Sequence, residues 1–228
     1  MLSVLFLKGE NMKVIISCLN SKFVHASLSP WCLLAGIREN SKNEYDALVM
    51  ESTINGDVES FAEKIINEKP HVVAFSCYIW NITKTLEICR IIKRNHECKI
   101  VLGGPEVAYC PKNILEKYEF ADFVLAGEGE WSFPDFLDNI NGDLSLVAGL
   151  TFRKNDEIIT IPEKEYAVSP PSPFCGEFFE NLNGRISYIE TARGCPYRCA
   201  FCLSGRGSQL RYFDMKRVKN DIIKLSQS

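Results

Sequence analysis

Short, uniformly apolar segments alternate with helical segments through the first 140 residues, and this pattern constrains the fold of the chain most strongly. The apolar segments are rich in β-branched residues and show no polar alternation, which is typical of parallel strands covered on both faces. They comprise Lys13 to Cys18, Ala47 to Met50, Val72 to Ser76, Ile100 to Leu102 and Phe123 to Ala126. The sequence therefore predicts an α/β domain built on a doubly wound, Rossmann-like, five-stranded parallel sheet.

The segments between these strands have the capping residues and the spacing of helices. Ser29-Pro30 can open the first helix, Asp57 caps the second, and Pro111 occupies a first helical position. In a doubly wound sheet, ligands bind beyond the carboxyl ends of the strands, where the strand order reverses. The loops that follow the strands are therefore the first candidates for a binding site.

The character of the sequence changes after the fifth strand, and we divide the chain accordingly. Residues 12–142 form the Rossmann-like domain, residues 143–184 a hairpin and Pro-rich linker, and residues 185–228 the start of a second domain. The hairpin is expected within Gly149 to Ile161. The last segment is expected to hold a strand from Ile186 to Glu190 and an amphipathic helix from Met215 to Leu225.

Residues 1–11 are interpreted as a leader that arises from a mis-assigned start. Lys8 to Asn11 back-translates readily into a purine-rich stretch that is typical of a bacterial ribosome-binding site, directly before Met12. The alternative is a genuine extra strand from Leu2 to Leu7. Met1 to Leu7 has neither the length nor the small-residue cleavage site of a secretory signal.

Composition excludes several classes of function. The net charge is −3, so the basic excess of a nucleic-acid-binding protein is absent. No apolar run reaches the 18 or more residues of a membrane helix. The chain has ten cysteines but no convincing secretory signal, which favours a reducing cytoplasm in which thiols stay available for metal.

Three of the cysteines, Cys195, Cys199 and Cys202, form a C-x-x-x-C-x-x-C loop. Thiolates bind soft metals and iron–sulfur clusters, and three of them can hold three irons of a [4Fe–4S] cube while the fourth iron stays open. Zinc is the rival metal, but a structural zinc site takes four ligands, and Cys175 is the only nearby candidate for a fourth. A third alternative is that the cysteines bind nothing.

This loop and its flanks resemble the radical S-adenosylmethionine (SAM) enzymes. The strand from Ile186 runs into Thr191 to Pro196, Phe201 precedes the last cysteine, and the stretch from Ser204 to Tyr212 resembles the segment that follows in that superfamily. The resemblance implies that the three cysteines bind a [4Fe–4S] cluster, that SAM chelates the open iron, and that Phe201 lies near the adenine.

Glycine-rich loops follow the fourth and fifth predicted strands. Gly103-Gly104-Pro105-Glu106 and Gly127-Glu128-Gly129-Glu130 allow close approach of the backbone to a ligand, although glycines also simply end strands. Neither loop fits the G-x-G-x-x-G dinucleotide fingerprint, which belongs after the first strand.

Together with the cysteine loop, this arrangement resembles the cobalamin-binding domain of cobalamin-dependent radical SAM enzymes, over about residues 12–228. The resemblance implies cobalamin as a further cofactor, with its nucleotide tail between the first and third strands. The implied cofactor contacts are Phe23, His25, Ser76, Cys77, Tyr78, Gly103, Gly104, Pro105, Glu106, Gly127, Glu128 and Gly129. We expect Gly104→Val to weaken cobalamin binding by filling the approach space.

His25 is a candidate for a lower axial ligand of cobalt, because some cobalamin enzymes carry D-x-H-x-x-G after the first strand. That pattern fails here, since Phe23 occupies the Asp position and Leu28 the Gly position. We therefore favour a loop histidine that is hydrogen-bonded locally or contacts the corrin, with ligation of cobalt as the minor alternative.

We interpret the chain as the cobalamin- and cluster/SAM-binding portion of a cytoplasmic radical SAM enzyme, with methylation among the reactions that the resemblance implies. The 44 residues from Arg185 onward hold only the first βα unit of a barrel, so we assign no catalytic residue and expect no turnover by this truncated chain alone. The missing part of the barrel is a candidate partner chain. The alternatives are a non-catalytic cobalamin- or cluster-binding module and a methylthiotransferase-like protein that uses Cys18, Cys77 and Cys110 for a second cluster.

Overall fold

A computed structural model describes residues 11–197, 199–202 and 210–227, and a seven-stranded sheet forms its centre. The first five strands are β1 (Lys13–Asn20), β2 (Asp46–Thr53), β3 (Val72–Ser76), β4 (Lys99–Gly103) and β5 (Phe123–Leu125). They lie in the order β2-β1-β3-β4-β5 and all pair in parallel. The predicted α/β fold with five parallel strands is confirmed.

Helices cover both faces of the sheet. They are α1 (Leu28–Asn40), α2 (Val58–Asn67), α3 (Ile82–Asn95), α4 (Pro105–Ala108), α5 (Pro111–Lys117) and α6 (Gly129–Asn139). Helices α1 and α6 bury apolar residues against one face, and α2 and α3 do so against the other. The predicted helix starts are confirmed at Asp57, whose carboxylate accepts a hydrogen bond from Ser60 N at 2.6 Å, and at Pro111.

The chain after α6 extends the sheet instead of leaving it. Strands β6 (Leu150–Lys154) and β7 (Glu157–Thr160) form the predicted hairpin, but β6 also pairs antiparallel with β5, so that Leu125 lies opposite Leu150. The prediction of a hairpin is confirmed, and its assignment to a separate linker is wrong. Thr151 and Phe152 of β6 are buried, and this burial explains why the hairpin belongs to the domain.

The segment beyond the hairpin departs furthest from expectation. It contains α7 (Gly176–Leu182), which the sequence analysis missed, a short antiparallel pair of β8 (Ala192–Arg193) with β9 (Arg211–Tyr212), and α8 (Met215–Ser226), which was predicted. The predicted strand from Ile186 to Glu190 is wrong. Only Ile186 forms a bridge, parallel to His25, because no neighbouring strand within the described ranges offers it a longer ladder.

Two sequence predictions fall outside the described residues. The leader interpretation concerns residues 1–11, of which 1–10 are not described, and most of the segment from Ser204 to Tyr212 is likewise not described. Within the described part of the chain, no helix is both long and apolar enough to cross a membrane.

Arg153 of β6 tests how firmly the hairpin is attached to the domain. Its guanidinium donates hydrogen bonds to the carbonyls of Ala121 at 2.7 Å, Tyr118 at 3.1 Å and Leu115. Because hydrogen bonds from a charged donor are worth more than neutral ones, we expect Arg153→Met to lower the free energy of unfolding by about 2 kcal/mol. Urea unfolding measures the loss, with Lys154→Met as the matched control on the same strand. Equal stability of the two variants would contradict the attachment.

Candidate functional site

A cavity of about 550 Å³ opens at the carboxyl ends of β3, β4 and β5, and we call it the switch-point cavity. The first turns of α1 and α6 form its other walls. Seven of the predicted cofactor contacts line it: Ser76, Tyr78, Gly103, Gly104, Gly127, Glu128 and Gly129. The parallel pairing of β3, β4 and β5 as neighbours places these residues together, although they come from three separate loops.

Gly104 has a structural role in addition to its place in the lining of the cavity. Its φ of 97° lies in the left-handed region, and an added Cβ would come within 2.5 Å of the carbonyl oxygen and 2.9 Å of the nitrogen of Cys77. The missing side chain therefore makes room for the backbone after β3. Our expectation that Gly104→Val would fill the approach space for a ligand stays a prediction, and the structure adds that the new side chain would also collide with the protein itself.

Asn81, which the sequence analysis missed, holds the ends of β1 and β3 together. Its side-chain amide is fully buried and donates to the carbonyls of Ser76 at 3.0 Å and Leu19 at 3.2 Å, while its side-chain oxygen accepts from Tyr78 N at 2.8 Å. The residue thus satisfies backbone groups that the sheet leaves open at the switch point. The sequence feature that could have indicated this role is the position of a polar residue between an apolar strand and the helix that follows it.

A cluster of charged side chains closes one wall of the switch-point cavity, and we call it the Arg193 cluster. The Arg193 guanidinium donates to Glu190 at 2.8 and 2.9 Å, to Glu128 at 2.9 Å, and to Glu130 at 2.5 and 3.2 Å. Arg211 adds two hydrogen bonds to Glu128 at 2.8 and 2.9 Å. The cluster therefore joins the segment before the cysteine loop to the loop that follows β5.

Charge neutralisation stabilises the ionised forms in this cluster. Burial raises the pKa of Glu130, but hydrogen bonds and the positive charge of Arg193 outweigh it, so the pKa of this carboxyl is lowered overall. Burial lowers the pKa of Arg193, yet the hydrogen bonds that it donates to Glu190 and Glu130 raise it overall. Both groups are charged at neutral pH, and the wall that they form is an ion-pair network.

A second cavity of about 370 Å³ lies beside the first, with Tyr78 in the lining of both. His25 and Tyr188 meet there, with 2.6 Å between His25 Nδ1 and the Tyr188 hydroxyl oxygen. The rings of Tyr78 and Trp80 stack at a centroid distance of 4.5 Å and an angle of 5°. His25 therefore has a hydrogen bond, but its partner lies 163 residues away in the last segment and not in the loop of His25 itself.

A buried ion pair fixes the backbone around His25. Arg185 lies 3.0 Å from the Glu51 carboxylate and also donates to the carbonyl of His25 at 2.7 Å. Glu51 accepts a further hydrogen bond from Asn20 at 2.9 Å. The pair tethers the start of the last segment to β2, outside the lining of both cavities.

The remaining predicted contacts lie elsewhere. Phe23 and Phe201 are 72% and 93% exposed, and Pro105 and Glu106 begin α4 beyond the lining of the switch-point cavity. Cys77 is fully buried in the core between the sheet and α3, where burial raises its pKa.

The three thiols of the cysteine loop are at least partly accessible to solvent. Cys195 and Cys202 are partly buried and Cys199 is exposed. Among the residues that the structure describes, no three His, Cys, Asp or Glu side chains are arranged to hold a metal ion. The donor set of three thiols within eight residues still has the chemistry that soft metals prefer.

The alternative cysteine set for a second cluster lacks suitable chemistry. Burial raises the pKa of Cys18 to about 12 and also raises that of Cys77, which keeps both in the thiol form, whereas Cys110 is exposed. Since the thiolate is the form that ligates metal, these positions do not favour a cluster.

Comparisons with known proteins agree with this geometry. Residues 14–137 match the family described as "B12 binding domain". The chain is 31% identical over 182 residues to the cobalamin-dependent radical SAM methyltransferase TokK of Streptomyces tokunonensis, a match that covers 72% of this chain and 26% of TokK. The chain thus spans about a quarter of the length of this relative.

Solved structures show the same fold at low sequence identity. The cobalamin-dependent radical SAM enzyme OxsB with aqua-cobalamin bound has a TM-score of 0.78 and 17% identity, over 96% of this chain and 32% of OxsB. The radical SAM methyltransferase TsrM of Kitasatospora setae, with cobalamin and a [4Fe-4S] cluster bound, has a TM-score of 0.75 and 17% identity, over 96% of this chain and 47% of TsrM.

Comparing two glycines separates backbone strain from close packing at Gly104. Gly184 also has a positive φ, of 71°, but an added Cβ there would meet nothing within 4 Å. We expect Gly184→Ala to cost about 1 kcal/mol of stability from φ alone. Gly104→Ala should cost about 3 kcal/mol, because a collision with Cys77 is added. Thermal unfolding checks both, and equal losses would contradict the close packing.

Proposed function

The chain belongs to the B12 binding domain family, and from that premise we propose that it is the cobalamin-binding portion of a radical SAM enzyme. The switch-point cavity is the proposed site for the nucleotide tail of cobalamin. The observation that carries the proposal is the convergence of Ser76, Gly103 and Gly127 on this cavity at the carboxyl ends of three parallel strands. Ligands bind at this position in doubly wound sheets.

The form and lining of the cavity suit a bulky, partly polar ligand. Its volume of about 550 Å³ lies in the range of small-molecule sites, and apolar side chains such as Leu28 and Phe133 line it together with the hydroxyl-bearing Ser29 and Ser76. His25 lines the second cavity, which supports contact with the ligand there. Its hydrogen bond to Tyr188 uses Nδ1 and leaves Nε2 open, so this bond is compatible with either role of the ring.

We further propose that Cys195, Cys199 and Cys202 hold a [4Fe–4S] cluster and that SAM binds the iron they leave open. The support is the donor chemistry of three thiols in one short loop, together with the printed description of TsrM as a structure that holds both a cluster and cobalamin. Phe201 is exposed directly before the last of these cysteines and is available to a planar group of SAM.

The proposed reaction class is methyl transfer, which rests on the names of TokK and TsrM. Bound cobalamin would supply a cobalt centre that can carry a methyl group, and the cluster would supply electrons to SAM. The residues of this chain bind and orient these groups, and we assign none of them a catalytic role. Groups that bind the substrate are proposed to come from further sequence, in the same protein or in a partner chain, in the cytoplasm.

A non-catalytic cobalamin-binding module is the second candidate. The exposed thiol of Cys199 and the exposed ring of Phe201 favour the enzyme portion, because a module without chemistry has no use for a reactive loop at this position. Anaerobic reconstitution with iron and sulfide separates the enzyme portion from the non-catalytic cobalamin-binding module.

The cavity is tested by a variant that fills it. Ser29 lies in the first turn of α1 and lines the switch-point cavity, whereas Ser60 lies in the first turn of α2 and is exposed. We expect Ser29→Trp to weaken hydroxocobalamin binding at least about tenfold, since the indole takes space the ligand needs, and Ser60→Trp to leave it unchanged. Equilibrium dialysis with corrin absorbance measures both. Equal binding by both variants would place the ligand elsewhere.

The cysteine loop is tested by anaerobic reconstitution with iron and sulfide. We expect about four irons per chain, as in a cuboidal cluster, and loss of most of the near-400 nm absorption when Cys195, Cys199 or Cys202 is replaced by Ala. Cys110→Ala is the control, because Cys110 is an exposed thiol of the first domain. Stoichiometric zinc without iron would reject the cluster and favour the non-catalytic module.

A further inference from the structure

We propose that Arg193 is a positioning residue that couples the cobalamin site to the cysteine loop, an inference that rests on the proposed function. Arg193 lines the switch-point cavity and lies only two residues before Cys195. The side chain of Arg193 therefore lines the proposed cobalamin site, and its backbone leads into the proposed cluster site.

The Arg193 cluster draws its carboxylates from two parts of the chain. Glu128 and Glu130 lie at the start of α6, in the first domain, and Glu190 lies in the last segment with Arg193 itself. The Glu130 side chain is 5% exposed, so its charge depends on Arg193 for compensation. A network this buried holds its members in one geometry far more firmly than an exposed ion pair does.

Four of the five members of the Arg193 cluster also line the switch-point cavity, namely Glu128, Glu130, Glu190 and Arg193, whereas Arg211 does not. A ligand that fills the cavity packs against the network and restricts its movement. Gly194, with a φ of 88°, then turns the chain directly into Cys195. Occupation of the cavity therefore limits the positions that the first thiol of the loop can take.

Thermodynamic reciprocity makes the coupling measurable from both sides. If bound cobalamin stabilises the cluster by some factor, the assembled cluster must strengthen cobalamin binding by the same factor. A side chain that only stabilises the fold would change the affinities for cobalamin and for the cluster, but neither cofactor would then alter the affinity for the other. The linkage itself is the signature of the positioning role.

Arg185 provides the matched control. It also pairs with a buried carboxylate, Glu51, and also tethers the last segment to the first domain, but neither residue lines the switch-point cavity. Arg185→Met therefore removes a largely buried Arg–Glu pair and loosens the same segment without touching the wall of the switch-point cavity. Because it also frees the carbonyl of His25 at the second cavity, the comparison uses the ratio of affinities with and without the other cofactor and not the affinity for cobalamin itself.

The experiment measures iron loss from the reconstituted full chain to a coloured chelator, with and without saturating hydroxocobalamin. In the wild type we expect cobalamin to slow iron loss and the assembled cluster to tighten equilibrium hydroxocobalamin binding about tenfold. The two effects should have the same direction, since equality of size holds for equilibrium affinities and not for rates. Arg193→Met should abolish both effects. Arg185→Met should keep both, even if its melting temperature falls.

Two further variants keep the test decisive if Arg193→Met does not fold. Arg193→Lys retains the charge but lacks the planar fork that engages three carboxylates, so it should fold and lose most of the coupling. The double change Arg193→Met with Glu130→Gln removes the most buried unpaired charge, so it should recover stability without recovering the coupling.

The outcomes distinguish this inference from the proposed function. Wild-type coupling that persists in the folded Arg193 variants would overturn the inference while leaving the cofactor assignment intact. Independent binding of cobalamin and iron by the wild type would overturn it as well. Failure of the wild type to bind hydroxocobalamin would overturn the proposed function first.

Discussion

The position of β1 between β2 and β3, in a sheet buried on both faces, is the constraint on which the rest of the structure depends. It sends the connections after β1 and β3 to opposite faces of the sheet, with α1 on one face and α3 on the other, and a cavity opens at the strand ends beside the start of α1. The fully buried amide of Asn81 then bridges the two strand ends, because the sheet leaves their last carbonyls without partners.

Ion pairs hold the last segment in place, whereas the first domain is stabilised by the burial of apolar side chains. Ile186, Tyr188 and Ile189 are substantially exposed, so this stretch gains little from burial. Two arginines hold it in place: Arg185, whose side chain is 9% exposed, on Glu51, and Arg193, whose side chain is 18% exposed, on Glu128 and Glu130. Because all three carboxylates belong to the first domain, the approach to the cysteine loop is positioned by the same domain that forms the proposed cobalamin site.

Much of the site was predictable because its residues occupy special places in the sequence pattern. Ser76, the glycines after β4 and β5, and Glu128 all follow apolar strands directly, and the strand order brings them to one cavity. Arg193 and Asn81 were missed, since their partners lie in distant parts of the chain or are backbone carbonyls that no side-chain pattern marks. The predicted strand after Arg185 failed for the related reason that a strand needs a neighbour.

The sequence by itself determined the alternation of strands and helices, the helix starts at Asp57 and Pro111, and the spacing of the three cysteines, because periodicity, capping and ligand spacing are local properties. Only the tertiary structure decided that the hairpin joins the sheet, that Gly104 accommodates the backbone of Cys77, and that Arg193 faces three carboxylates. These features depend on which surfaces meet across long stretches of sequence, and burial and charge compensation act only once those surfaces are in contact.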